Sequence, residues 1–265
     1  MISGYGRQPL FHGMANVLTG ISSSTGALQA FQSSLDMTAG NLANVDTTGF
    51  KSRRTLFQDL SYFGQLGDQL GQGVRVGTID RNFLQGKTPP TGNDLDLSVQ
   101  GNGYFALLSS SGTLQYTRDG AFHLDATRQL VSADGLSVQP PITFPPEVLE
   151  TKIAADGTVS VLTASSPDTP IVLGQLRLTN FVNPQGLNPI GDNRFLATDS
   201  SGLPITNLPG TKGLGLISQG SLEQSNVDST TEMVRLVTTS RDYTANARAL
   251  KVEDEILKSG LDLVT

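Results

Sequence analysis

Two stretches near the ends of the chain space their apolar residues by alternating three and four positions, and nothing else in the sequence constrains the fold as much. Near the start, Ile21, Leu28, Leu35 and Leu42 recur every seventh residue, with Ser24, Phe31, Thr38 and Val45 between them. Near the end the series reads Met233, Leu236, Ser240, Tyr243, Ala247, Leu250, Asp254, Leu257 and Leu261. Seven residues nearly complete two helical turns, so each series lays one stripe along a helix that needs a partner. Helices at 15–46 and 226–265 that pair with each other satisfy both stripes.

The polar faces of the two helices differ. From Gly13 to Val45 the only charged side chain is Asp36; the rest of that face is Ser, Thr, Gln and Asn. A helix facing water normally carries charges of both signs opposite its stripe. Uncharged polar groups pack against neighbours without the desolvation cost of buried ions, so the first helix reads as an assembly element. The second is charged in the ordinary way, with Lys251 and Glu255, and Asp254 and Lys258, four residues apart. It opens on a capping-box pattern, Ser229-Thr230-Thr231-Glu232. The contrast predicts a neutral helix inside and a charged helix outside. The expected assembly residues are Ile21, Leu28, Phe31, Leu35, Leu42 and Val45, facing Met233, Leu236, Tyr243, Ala247, Leu250, Leu257 and Leu261. Pattern alone leaves open a second arrangement, a two-helix hairpin lying on its own domain.

Between the helices the texture changes. From Leu95 short alternating runs are punctuated by turn residues: Leu95, Leu97 and Val99, then Gly101-Asn102-Gly103, then Tyr104 to Leu108. Leu114 to Thr117 and Ala121 to Leu124 flank Arg118-Asp119-Gly120, and Asp-Gly recurs at 134–135 and 156–157. These are hairpin signals, and a type I′ turn is expected at each Asp-Gly. Further strands are expected at Thr158 to Leu162, Gln175 to Phe181 and Arg194 to Thr198. Pro140-Pro141 and Pro145-Pro146 exclude helix. The fold class is therefore α+β: a mainly-β central body of hairpins, sandwich- or barrel-like, bracketed by long N- and C-terminal helices paired in a coiled-coil-like core. The expected organisation is an N-terminal extension at 1–14, terminal helices at 15–46 and 226–265, extended connectors at 47–94 and 199–225, and an all-β body at 95–198.

With 265 residues the chain can bury a substantial core, and with no cysteine it can form neither a disulfide framework nor a thiolate metal site. A net charge of -6 and a pI near 4.9 oppose binding to phosphate backbones, so nucleic acid is not an expected partner. Membrane insertion is not expected either, since the longest apolar run is Tyr104 to Leu108. The first thirty residues hold Arg7 as their one cation and no apolar leader core, so no cleaved signal peptide is expected.

Catalytic patterns fail one by one. Gly86-Lys87-Thr88 resembles the end of a phosphate loop, but Arg81 stands where its leading glycine belongs and Pro89-Pro90 blocks the helix that must follow. Gly71, Gly73 and Gly77 miss the dinucleotide spacing. His12 falls in an expected tail and His123 on a hairpin strand, neither with a ligand at metal spacing, and no Gly-x-Ser-x-Gly occurs. Asp94 and Asp96 would share one face of a solvated strand edge. No catalytic residue, cofactor or metal is expected, and the chain does not read as an enzyme.

The run Asn41-Leu42-Ala43-Asn44-Val45-Asp46-Thr47-Thr48-Gly49-Phe50-Lys51 closely resembles the N-terminal signature of the rod and hook proteins of the bacterial flagellum, with Asn41, Ala43, Asn44, Thr48, Gly49 and Phe50 as its motif residues. The likeness covers nearly the whole chain: Asp96 to Phe105, Tyr116 to Gly120 and Leu130 to Gly135 resemble the family's β body, and Gln219 to Val227, with Arg241, Tyr243 and Asn246, its entry into the last helix. Val138 to Ile142, Gly174 to Leu176, Leu187 to Gly191 and Leu56 to Tyr62 resemble the members that build the distal part of the rod. Gly40 stands where members commonly carry Asn.

The resemblance implies a structural subunit that polymerises with copies of itself into the distal rod, a hollow shaft crossing the periplasm and transmitting torque to the hook. It implies other rod and hook proteins, the P- and L-ring proteins and the flagellar export apparatus as partners, and export without a cleaved leader. Two alternatives stand beside it: a proximal-rod or hook-type axial subunit, and a β-body binding module whose helices merely dimerise.

Overall fold

The computed structural model describes residues 8–63 and 69–262, with side chains described for 20–60 and 73–260, and the chain divides into two compact units. The first unit gathers 1–43, 53–80 and 228–265; the second holds 44–52 and 81–227.

The first unit is built on two long helices, α1 (Gln8–Ala43) and α2 (Ser229–Asp262). They pack antiparallel, as the cross-helix pairs Ser24 with Glu253 and Asn41 with Glu232 require. Helix α1 starts within the segment expected as an extension, because Pro9 fits a first turn, where its missing N–H costs nothing. The start of α2 also differs: the Asp228 carboxylate, not Ser229, accepts the Thr231 N–H at 2.7 Å, so Asp228 is the cap. Where an extended connector with some strand was expected, the chain forms the long strands β1 (Arg53–Phe63) and β2 (Gln69–Arg81), paired as one two-stranded sheet. This hairpin lies on α1. Phe57 meets Phe31 edge to face at 6.3 Å, and small residues allow close approach where Gly26 faces Val74 and Gly73 faces Ser23.

The second unit is the β body. Its strands are β3 (Leu97–Gln100), β4 (Tyr104–Leu108), β5 (Leu114–Thr117), β6 (Phe122–Leu124), β7 (Leu130–Ser132), β8 (Ser137–Val138), β9 (Val148–Ile153), β10 (Thr158–Thr163), β11 (Ser166–Gln175), β12 (Leu178–Asn180), β13 (Asn188–Gly191), β14 (Arg194–Leu196), β15 (Ile205–Asn207) and β16 (Leu216–Gln219). The largest sheet runs β13-β14-β5-β4-β8-β7-β6, with β12 bridging β4 and β15. That path is open at both ends, so the barrel-like expectation gives way: the described strands form no closed barrel. Separate sheets join β9, β10 and β11, and β3 with β16.

Strand β4 explains the apolar run at 104–108. Phe105 and Leu107 enter the main core with Val99, Leu130, Val159 and Leu178, whereas Tyr104 and Ala106 enter a second cluster with Tyr116, Phe181, Leu187 and Phe195. Alternate side chains point to opposite faces, so a strand covered on both faces reads as continuously apolar.

The turn chemistry corrects the sequence reading in detail. At 134–135 and 156–157 only the glycines, Gly135 and Gly157, have positive φ, 77° and 86°. Each N–H reaches back three residues, to Ser132 and Ala154, which is a type I turn closed by a left-handed residue rather than type I′. The two consecutive left-handed residues of a type I′ turn occur instead at Asp192 and Asn193, between β13 and β14. Arg118-Asp119-Gly120 closes no hairpin, since β5 pairs with β4 and β14 while β6 pairs with β7. Gly120 is there because the carbonyl of Leu97 occupies the space a side chain would need. Asp94 and Asp96 do not share a strand face: Asp94 sits in an exposed turn, while Asp96 is buried and accepts from Asn93 at 2.9 Å.

Candidate assembly interface

The seam between the helices is more polar than the apolar stripes predict. On α2, buried and half-buried positions follow Glu232, Leu236, Thr239, Tyr243, Asn246, Leu250, Glu253, Leu257 and Gly260, an unbroken alternation of four and three. The expected track shares Leu236, Tyr243, Leu250 and Leu257 with it and otherwise takes the adjacent residue, Met233 and Ala247 among them. Met233 is 54% exposed in consequence. Ala247 is half-buried, and Leu261 lies in α2 with its side chain outside the described residues. Polar companions are accommodated because α1 presents small or polar partners: Glu253 fits against Gly20 and accepts from Ser24 at 3.2 Å, and Glu232 accepts from Asn41 at 3.4 Å.

On α1 the fully buried residues are Ala30, Thr38 and Asn41, whereas Ile21, Leu28, Phe31, Leu35 and Leu42 are half-buried. Asn41 has the most demanding role. Its amide clasps the backbone of Arg53, donating to the carbonyl at 2.7 Å and accepting the N–H at 2.9 Å. This pins the start of β1 to the end of α1 across the excursion of 44–52. The outer face of α2 is not simply solvated: Val234, Val237, Val252 and Ile256 are each about half exposed, so charge alone no longer assigns α2 to the outside.

The rest of the signature lies in the second unit. Ala43 ends α1, Asn44 and Val45 are half-buried in the turn after it, and Thr47 donates to the Asn44 side chain at 3.2 Å. The carbonyl of Thr48 accepts from Asn193 at 2.7 Å. Gly49 has φ of 67°, and a Cβ there would lie 2.7 Å from the backbone nitrogen of Asp119. The next residues, Phe50 and Lys51, are buried.

Lys51 leads to the feature that sequence reading missed. Its ammonium pairs with Glu223 at 2.5 Å with both side chains inaccessible to solvent, and the other carboxylate oxygen meets Arg118 at 3.2 Å. Further bonds are made locally, where Lys51 donates to the Leu84 carbonyl at 2.8 Å, Arg118 to Gly101 at 2.7 Å, and the Gly86 N–H to Glu223 at 3.0 Å, while the buried Arg118 Nε makes no hydrogen bond. The Gly86-Lys87 pair, not a phosphate loop, is where the chain passes close to Gln224, whose backbone leaves no room for a side chain at 86. The Arg118 guanidinium also stacks 5.2 Å from the Tyr104 ring centre. Burial pulls the Lys51 pKa down, with Glu223 opposing and Arg118 adding to the fall. Burial pushes Tyr104 up to about 12.

Around this cluster the signature and the segment entering α2 are zipped together. The Gly49 N–H donates to the Glu223 carbonyl at 2.7 Å, Ser52 N–H to the Asn226 side chain at 2.8 Å, and Asn226 to the carbonyls of Asn82 and Leu84, both at 2.8 Å. One signal pointed here: Lys51, Arg118 and Glu223 each fall inside a stretch that resembles a family motif. Elsewhere, His123 is exposed on β6 and His12 lies in α1. No three metal-ligating side chains gather among the described residues.

Terminal helices packed on each other, with a β unit that binds its own entry and exit segments through one carboxylate, define a class of α+β subunits in which both ends of the chain build a single element. Comparison with known proteins identifies the class. Residues 21–51 match the model for flagella basal body rod proteins, 98–161 that for the flagellar hook protein FlgE/F/G D1 domain, and 218–263 that for the flagellar basal body rod FlgEFG protein C-terminal region. The flagellar basal-body rod protein FlgG of Borreliella burgdorferi is 39% identical over 246 residues, 87% of this chain and 92% of that one. Those of Caulobacter vibrioides and Bacillus subtilis are 36% and 34% identical, covering 90% and 93% of this chain and 97% and 99% of theirs. The chain belongs to the flagellar basal-body rod and hook protein family.

Proposed function

We propose that this chain is a structural subunit of the bacterial flagellar basal-body rod, its distal part, and that it works by assembling with copies of itself. The observation that carries this reading is the state of α1: a 36-residue helix with Asp36 as its only Asp, Glu, Lys or Arg, whose Ile21, Leu28, Leu35 and Leu42 stay half-buried within one subunit. Such a surface is cheap to surround with protein and gains from being surrounded. Full-length likeness to rod proteins of three bacteria supports the same reading and leaves the dimerising binding module without an observation in its favour.

In this reading the two heptad tracks pack as a coiled-coil-like core, and Ile21, Leu28, Phe31, Leu35, Leu42, Val45, Met233, Leu236, Tyr243, Ala247, Leu250, Leu257 and Leu261 form contacts within and between subunits. The subunit crosses the periplasm as part of the rod, meets the ring proteins and other axial proteins, and catalyses no reaction. No helix among the described residues is long and apolar enough to span a membrane, as a shaft subunit requires none. Electron microscopy of the concentrated chain tests the proposal: tubes or helical fibres are expected, and a population of discrete particles alone would refute it.

A further inference from the structure

Each long helix carries a second track at heptad spacing, on the side away from the seam. On α1, Thr25, Gln29, Gln32, Asp36, Ala39 and Ala43 stand alternately four and three positions apart, and all of them are exposed. On α2, Val234, Thr238, Arg241, Ala245, Arg248 and Val252 follow the same alternation and are exposed as well. The α2 track contains a hole of the kind that receives a side chain in helix packing. Arg241, Thr244, Ala245 and Arg248 occupy the four positions that surround such a knob, and because Thr244 and Ala245 are small they leave, with Ser240, a groove of about 270 Å³.

Both arginines of this hole are unpaired. Neither Arg241 nor Arg248 forms an ion pair or a hydrogen bond among the described residues, and Arg241 does not engage Asp242 beside it; Arg235, by contrast, is held by Glu232 at 2.8 Å. Two guanidinium groups above small residues suit one carboxylate, which has lone pairs enough to accept from both. The track on either side of the hole calls for a neutral partner, since Val234 and Val252 gain from being covered by uncharged groups and lose from being covered by ions. A helix face with a single carboxylate in an otherwise uncharged surface meets both demands, and α1 is such a face. Asp36 is exposed, and its one hydrogen bond among the described residues comes from Gln32 on the same helix at 3.0 Å. Ala39 and Ala43 beyond it are small enough to let a second helix come close.

We propose that Asp36 of one copy is the knob that fills the Arg241–Arg248 hole of a second copy, laying α1 of the first along the outer face of α2 of the second. The two faces differ, so the contact is heterologous and repeats without closing, and the charge pair fixes its register. The inference rests on the rod reading, because an assembly supplies the second copy.

A charge swap in the full chain tests it. D36R and R241D/R248D each set like charges against each other, whereas an equimolar mixture of the two restores an opposite pair at every contact. In sedimentation velocity at low salt, self-association weakened at least about tenfold in either variant alone, and recovered in the mixture, is the expected result. The substituted positions are exposed, so unchanged helical dichroism and melting show that the variants are folded; D36N and R241Q/R248Q, which remove charge without reversing it, should each lose association and show no recovery on mixing. Either swap variant associating as the wild type does, or a mixture no stronger than its components, would overturn the proposal. Wild-type tubes that both swaps leave intact refute this contact and spare the rod reading. Discrete wild-type dimers that obey the swap refute the rod reading and keep the contact, and a wild type that stays monomeric throughout refutes both.

Discussion

Replacing Glu223 with Gln isolates what the buried cluster does. The carboxylate neutralises Lys51 at 2.5 Å and Arg118 at 3.2 Å, and the side chains of Lys51 and Glu223 are both wholly buried. Glu223→Gln keeps the shape and an acceptor for the Gly86 N–H but leaves two buried cations without a counter-ion. Breaking a buried pair from one side costs about 3–5 kcal/mol. The retained acceptor places the expected loss near the lower end, about 3 kcal/mol, a large part of the roughly 5–15 kcal/mol that holds a domain folded. At about 2–4 °C per kcal/mol for a unit of this size, the melting transition of the β unit should fall by roughly 6–12 °C in scanning calorimetry. The loss should depend on pH. In the wild type Glu223 opposes the depression of the Lys51 pKa; in the variant only burial and Arg118 act, and both lower it further. The folded variant then sheds the Lys51 proton while the unfolded chain, near the ordinary lysine value of 10.5, keeps it. Across that window the unfolded state binds more protons, so stability rises with pH, and rises more for the variant than for the wild type. The deficit measured near neutral pH should narrow toward about pH 10. A deficit below about 1 kcal/mol near neutral pH, or one that widens as pH rises, would refute the account of Glu223 as the counter-ion of two buried cations.

Asn41→Ala should cost about 1–3 kcal/mol, because it leaves both the N–H and the carbonyl of Arg53 without their side-chain partner; faster amide exchange confined to the end of α1 and the start of β1 would report it. Tyr104, raised to about 12, should ionise late in an ultraviolet titration of the phenolates. Because the folded state holds that proton longer than the unfolded one, stability contributed at neutral pH should be lost as pH climbs from about 10 toward 12. Leu35→Glu should abolish tube formation while the near-ultraviolet dichroism of the β unit stays unchanged, since a carboxylate would face packed neighbours without a partner; normal tubes would remove Leu35 from the interface.

Elements specified by local chemistry were legible. The helices announced themselves by their sevenfold spacing, and β4, β5 and β10 by their apolar runs, because the periodicity of each follows directly from backbone geometry. Pairing was not legible. The Arg118-Asp119-Gly120 turn has hairpin residues but joins strands that pair elsewhere, and Gly120 serves a close approach to the backbone of Leu97 that no local pattern signals.

On α2 two tracks share Leu236, Tyr243, Leu250 and Leu257, and hydrophobicity favours the one that adds Met233 and Ala247. Tertiary structure chose the other, with Glu232 and Glu253, because α1 supplies Asn41, Ser24 and the bare backbone of Gly20 opposite them. The ionic cluster follows the same rule. Lys51, Arg118 and Glu223 stand far apart in the chain and are ordinary surface residues by type. By itself the sequence determined two terminal helices, a β body between them, a family signature and an uncharged helix surface, all properties of short segments. The tertiary structure alone decided which polar residues enter the seam and which three ions meet out of solvent, because the cost of burying a charge depends on partners that only the folded chain brings within reach.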